Sequence, residues 1–257
     1  SNIDIFVAFL LADFQKTIGN EKVSNRYYRR AIKLNPTQAN YLQNYGLFLD
    51  KNGARSMADS FMKASVHHDR SNPDRKRNYA EFLIKGDEYD KGLQVMASVF
   101  AQDPARAKND IAFLVDSGFA DDAIRRNLPD RVWPFLAFAA HMDQKGDHNQ
   151  AAALYRQALT YIKNEEHLRP DYFYRVSGFF SKQKRYAEGL DVILQAIKIF
   201  SVDAGLRVRA GNLYRELGLT HKALEQYQQV LTIDPENSQA RKHIAELQHD
   251  VDKKFEL

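Results

Sequence analysis

Residues 204–237 read AGLRVRAGNLYRELGLTHKALEQYQQVLTIDPEN, and this stretch decides the fold. Apolar residues recur at helical spacing in two segments, Arg207 to Leu217 and Lys222 to Thr232, with Gly218 between them. Glycine reaches the left-handed dihedrals that end a helix at little cost, so the spacing predicts two helices joined by a tight turn. Proline cannot donate to a continuing helix, and it biases its predecessor away from helical dihedrals. Asp234-Pro235 therefore closes the pair. The small residues Gly211 and Ala223 mark where the helices approach most closely, with Leu213, Tyr214, Leu217, Leu224, Tyr227 and Leu231 packed around them.

Outward from this unit, glycines fall at Gly19, Gly53, Gly86, Gly118, Gly146 and Gly218, at intervals of 34, 33, 32, 28 and 72. The last interval spans two units, with Lys184 at the missing turn; a left-handed lysine would cost up to about 1 kcal/mol there. The tiling predicts units at about 5–38, 39–72, 73–104, 105–129, 132–169, 170–203 and 204–237 in a single array over 3–252. Asn78-Tyr79-Ala80 repeats Asn44-Tyr45-Gly46 at 34 residues. Pro73 lies 37 residues after Pro36, which predicts part of an extra turn in 67–72. The fourth unit leaves about nine residues for its second helix and is expected to be a shortened pair. Residues 163–169 form a polar extension before Pro170. Residues 238–252, with Ile244, Leu247 and Val251, predict a capping helix, since an array must cover its last apolar face. A charged tail, 253–257, follows. Ser1-Asn2 looks like the remnant of a cleaved tag, and the abrupt entry into a helix suggests a piece of a longer protein.

The chain has 257 residues, 44% of them apolar, and 37 Lys and Arg against 33 Asp and Glu. A net charge of +4 is too small to argue for nucleic acid. With no cysteine, disulfides, thiolate metal sites and a cysteine nucleophile are excluded together. The longest apolar run, Ile5 to Ala12, falls far short of the roughly 20 residues of a membrane helix, so no membrane insertion is expected of this stretch.

A period near 34 with Gly211, Tyr214, Gly218, Ala223, Tyr227 and Pro235 in phase resembles the tetratricopeptide repeat. The resemblance implies an all-α fold, a right-handed superhelical solenoid of about seven antiparallel helix pairs with a C-terminal capping helix. Its first helices would line a groove for a peptide or partner protein. Groove positions of that family fall on Gln43, Asn44, Leu47, Arg77, Asn78 and Glu81, on Trp133, Leu136 and Ala140, and on Tyr174, Arg175, Lys182, Arg209, Asn212 and Arg215. Asn and Arg there can hydrogen-bond an extended backbone and pair with carboxylates. Trp133, the single tryptophan, can anchor a partner or pack at the junction after the short fourth unit. A chaperone-type carboxylate clamp is matched at Asn44, but Phe9, Asp13 and Asp74 replace its Lys and Asn positions. The run YYRRAIKLNPTQANYLQNYGLFL also resembles the soluble repeat region of bacterial O-antigen ligases and related surface-polysaccharide polymerases, which would make this a periplasmic, cell-envelope domain. RNA-binding helical repeats would need a basic groove, and Asp50, Asp74, Glu81 and Glu216 argue against one.

No enzyme reading emerges. His67-His68-Asp69 are adjacent on a helix and so face different ways, and no i, i+4 ligand pair completes them, so no metal is expected. His141 and His148 flank a turn and read as solvated. Asp121-Asp122 and Glu165-Glu166 read as helix-start charges or exposed turns rather than acid–base pairs. The glycines follow the repeat, so no phosphate-cradling loop or nucleotide cofactor is expected.

Overall fold

The computed structural model describes residues 2–255, with side chains described over 4–249. The protein is all-α, and no strand occurs among the described residues. Fifteen α-helices follow in order: α1 Asn2–Thr17, α2 Glu21–Leu34, α3 Ala39–Lys51, α4 Arg55–His68, α5 Pro73–Lys85, α6 Tyr89–Gln102, α7 Ala107–Asp116, α8 Asp121–Arg126, α9 Val132–Gln144, α10 His148–Thr160, α11 Pro170–Lys182, α12 Tyr186–Ile199, α13 Ala204–Glu216, α14 Thr220–Ile233 and α15 Ser238–Phe255. Short 3-10 turns stand at Pro104–Arg106 and Ile162–Asn164. Consecutive helices pack as seven pairs, and α15 packs on α14. The chain divides into two compact units, Ser1–Pro129 and Asp130–Leu257.

In the first unit, the core is aromatic. Phe9 stacks on Tyr41 with centroids 4.4 Å apart, and Tyr28, wholly buried, lies against Phe9, Tyr45 and Phe48. A buried tyrosine must place its hydroxyl on an acceptor. Tyr28 donates to Asp13 in its own pair. Tyr45 donates to Asn25 (2.8 Å) and Tyr79 to Asp59 (2.9 Å), both reaching the helix before. The same economy serves the buried serines: Ser24 donates to the Ala12 carbonyl and Ser65 to that of Ala39, each at 2.8 Å. The fourth pair is short, α8 having six residues.

In the second unit, Tyr227 is again wholly buried and donates to Asn212 at 2.7 Å, 15 residues back, the separation of the Tyr28–Asp13 bond. Gly211 lies under that ring. Leu247 and Ala240 of α15 bury with Tyr227 and Val230, while Ile244 packs at their edge. Val251, read above as part of this apolar face, lies outside the described side chains. The helix itself continues to Phe255, into the stretch read as tail.

Several expectations are corrected. The pair at 204–237 has longer helices than the apolar spacing suggests, because the Asp203 carboxylate accepts from Leu206 N at 2.9 Å and starts α13 three residues earlier. Left-handed dihedrals occur at Gly19, Gly53, Gly118, Gly146, Gly218 and Lys184, but in the third unit they fall on Asp87 (φ 62°), not on Gly86. Gly86 is needed for a different reason: a Cβ there would lie 1.6 Å from the Arg55 guanidinium, which rests on Phe82. No extra turn exists at 67–72. Pro36 stands in the connector after α2, whereas Pro73 is the first residue of α5, so the two prolines are not equivalent. Nor are Glu165 and Glu166 alike. The Glu165 side chain is only 5% exposed. It accepts from Val132 N at 2.8 Å and takes the Arg131 guanidinium in a fork, both bonds 3.1 Å, capping α9 from 33 residues away.

Candidate functional site

A surface with open binding chemistry lies in the second unit, on the row α9, α11, α13. Its centre is Trp133 in the first turn of α9. The indole is half-buried, meets the Tyr172 ring edge-on at 5.5 Å, and carries Arg175 at 4.8 Å and Arg169 at 5.8 Å from its ring centroid. Both guanidiniums are more than half exposed, and their carboxylate, Asp171, stands at 3.6 and 3.8 Å. At those separations, in water, each pair contributes little, so the cations stay available to a ligand. Planar guanidinium on an indole face is held in one orientation, which prepares it for a bidentate carboxylate.

Along the row, Lys182 reaches Asp143 of α9 at 3.3 Å with its own side chain 69% exposed. Asp143, more enclosed, also takes His148 at 2.8 Å and Gln183 at 3.5 Å. Arg209 of α13 donates to Ser181 at 2.8 Å. Arg215 bridges to α15, with His243 at 2.9 Å and Glu246 at 3.3 Å. Burial, with Asp143 nearby, pushes the Tyr155 phenol up to about 12, so it stays neutral below the row.

Other expected site residues are occupied internally. Tyr174 donates to Asp203 at 3.3 Å, tying α11 to the start of α13, and burial with that carboxylate raises its phenol. Asn212 accepts from Tyr227. Leu136 is buried in α9, and Ala140 is half-buried. In the first unit Gln43 accepts from Arg75 at 3.4 Å, Asn44 donates back to the Asn40 carbonyl at 2.9 Å, Asn78 and Glu81 are half-buried, and Leu47 is exposed. Arg77 lies inside the stack. Its Nε and Nη2 grip Asp110 at 2.6 and 3.0 Å, with Asp74 at 2.6 Å and Asp103 at 3.3 Å, and the hydrogen bonds it donates to Asp110 hold its proton more tightly still. Its donors are spent on the fold. The structure therefore gathers Trp133, Arg175, Lys182 and Arg209 along one row and disperses the first-unit candidates. Arg169 and Asp143 were not singled out from the sequence. Arg169, in the connector just before Pro170, has no periodic signal to mark it.

Residues 204–237 match the tetratricopeptide repeat family model. No curated protein sequence matches the chain. Among solved structures the chain is similar to the APC/C hetero-tetramer Cut9-Hcn1, at 13% identity and a TM-score of 0.42, over 86% of this chain. It spans 44% of that chain's length. It is similar to YrrB, described as a TPR protein with an unusual peptide-binding site, at 14% identity and a TM-score of 0.41, over 84% of this chain and 96% of that one. Pseudomonas aeruginosa pilF is similar at 15% identity and a TM-score of 0.37, over 95% and 98%. The resemblance to O-antigen ligases and polysaccharide polymerases finds no support among these comparisons. Among the described residues, no helix is long and apolar enough to cross a membrane.

Proposed function

We propose that this protein is a non-catalytic interaction scaffold that binds an extended, acidic peptide segment along the α9–α11–α13 row of its second unit. Tetratricopeptide repeats generally mediate protein–protein interaction. The observation that carries the proposal is the Trp133 platform, where Arg169 and Arg175 lie over one indole and remain open to solvent. Spacing adds to it. Arg175 and Lys182 stand two turns apart on α11 and Arg209 on α13, so an extended chain can place carboxylates against them in turn while its apolar side chains rest on the indole. The charged groups supply orientation and a salt-dependent on-rate, and the indole supplies the desolvated contact.

The test uses the single tryptophan as its own reporter. Fluorescence titration with a library of Asp/Glu-rich peptides, against a matched Lys/Arg-rich library, should show saturable shifts for acidic members only, weakened by salt. Arg175→Glu with Arg209→Glu should remove that binding while leaving the melting curve in place. Acidic-peptide binding that survives the double reversal would reject the assignment of the row.

A further inference from the structure

The first helix pair carries a second surface, distinct from the row on the second unit. On α1 the residues Phe6, Leu10 and Phe14 recur at every fourth position, and Ile18 continues the line just past the helix end. They are 48–58% exposed. The face of α1 that packs inward holds Ala8, Phe9 and Ala12 instead, so this stripe points away from α2 and α3. The helix α2 supplies the charge. Lys22, Arg26, Arg29, Arg30 and Lys33 are all exposed, and none has an ion-pair partner among the described residues. Residues 1–38 hold six Lys and Arg against three Asp and Glu, so this pair accounts for an excess of three of the chain's four positive charges.

The two features adjoin. Asn25, Arg29 and Ile32 of α2 border a pocket of about 550 Å³ with Tyr45, Met57 and Phe61 of α3 and α4. The helical repeat then turns Tyr27, Arg30 and Leu34 to the opposite flank of α2, which packs against α1. Arg26 lies over the Tyr27 ring at 5.6 Å. Leu34 is 47% exposed and extends the apolar line onto α2. The apolar edge is thus fringed by basic side chains that have no ion-pair partner among the described residues.

From this juxtaposition we infer that the α1–α2 edge docks on an anionic lipid bilayer, lying in the interface without crossing it. The exposed rings and aliphatic chains enter the acyl boundary, and the arginines and lysines meet the headgroup phosphates. A second copy of the chain fits less well. Pairing through this edge would bring basic fringes together. A negatively charged surface satisfies both the apolar stripe and the excess charge.

The full chain is sedimented with vesicles of phosphatidylcholine alone and of phosphatidylcholine mixed with phosphatidylglycerol, at low and at high salt. Partition onto the mixed vesicles only, released by salt, is expected. Arg26→Gln with Arg30→Gln should weaken it by about 25-fold, roughly fivefold per residue, and Phe14→Ser by about tenfold, with far-ultraviolet circular dichroism unchanged. Equal binding to both vesicles, binding to neither, or binding insensitive to Phe14→Ser would overturn the inference. A dimer in sedimentation equilibrium that Phe14→Ser dissolves, without vesicle binding, would assign the edge to a second copy instead.

Discussion

Two glycine-to-alanine substitutions in the second unit separate packing from helix propensity, because the backbone chemistry is the same and the surroundings are not. A Cβ on Gly211 would lie 2.5, 2.7 and 2.9 Å from Cε1, Cζ and Cδ1 of Tyr227. Carbon atoms in contact prefer about 3.5–4.0 Å, so the ring must retreat by roughly 1 Å. It has little room to do so: Tyr227 is wholly buried, its hydroxyl is fixed on Asn212, and its other face stacks on His243 at 4.9 Å. Overpacking of this kind costs about 1–3 kcal/mol, while alanine returns about 1 kcal/mol of helix propensity. Gly211→Ala should therefore destabilise by up to about 2 kcal/mol. Gly178 in α11 has nothing within 4 Å of its would-be Cβ, so Gly178→Ala should stabilise by about 0.5–1 kcal/mol. In thermal melts each kcal/mol corresponds to about 3–5 °C for a unit of this size, so the variants should move in opposite directions from wild type. The Tyr227→Leu background should erase the Gly211→Ala penalty, since the ring is what the new methyl meets. A Gly211→Ala protein that gains stability as Gly178→Ala does would refute the close approach of α13 and α14.

Two further outcomes follow from the charged groups. Arg77→Met strands Asp110, which is 3% exposed, and should cost about 3–5 kcal/mol in urea unfolding; pairing it with Asp110→Leu should restore most of that loss. The Arg185 hydrogen bond, opposed by partial burial and aided by Arg156, holds the Glu188 carboxyl below its usual 4.5. A depressed pKa contributes stability that is complete above that value and is lost as pH falls through the lower folded one. Glu188→Gln should accordingly flatten the acid limb of a stability–pH curve below about pH 4.5 and leave the curve above neutrality parallel to wild type.

Periodic features were legible in the sequence because they are local. The helix pairs announce themselves through turn glycines, through proline at helix boundaries, and through tyrosines such as Tyr28 and Tyr227 at matching places in the first and last units. Lys184 could be placed at a left-handed turn for the same reason, by counting from its neighbours. Pairwise features were hidden. Arg77 occupies a groove position of the repeat, and its burial depends on Asp103 at the end of α6 and Asp110 on α7, which stand 26 and 33 residues away. The space at Gly86 is filled by the guanidinium of Arg55, a residue of the preceding pair, while the left-handed turn falls on Asp87. The candidate site shows the same division: Trp133 and Arg175 could be named from the repeat frame, whereas Arg169 joins them only through the path of a connector.

Glu165 sets an order of events as the chain leaves the ribosome. The amide at the head of α9 and the guanidinium of Arg131 wait for a carboxylate synthesised more than thirty residues later, after α10 is complete. Until it arrives, the opening turn of α9, which carries Trp133, is uncapped and frays. The aromatic platform is therefore among the last parts of its own hairpin to set, and its rigidity is owed to the linker that leads away from it.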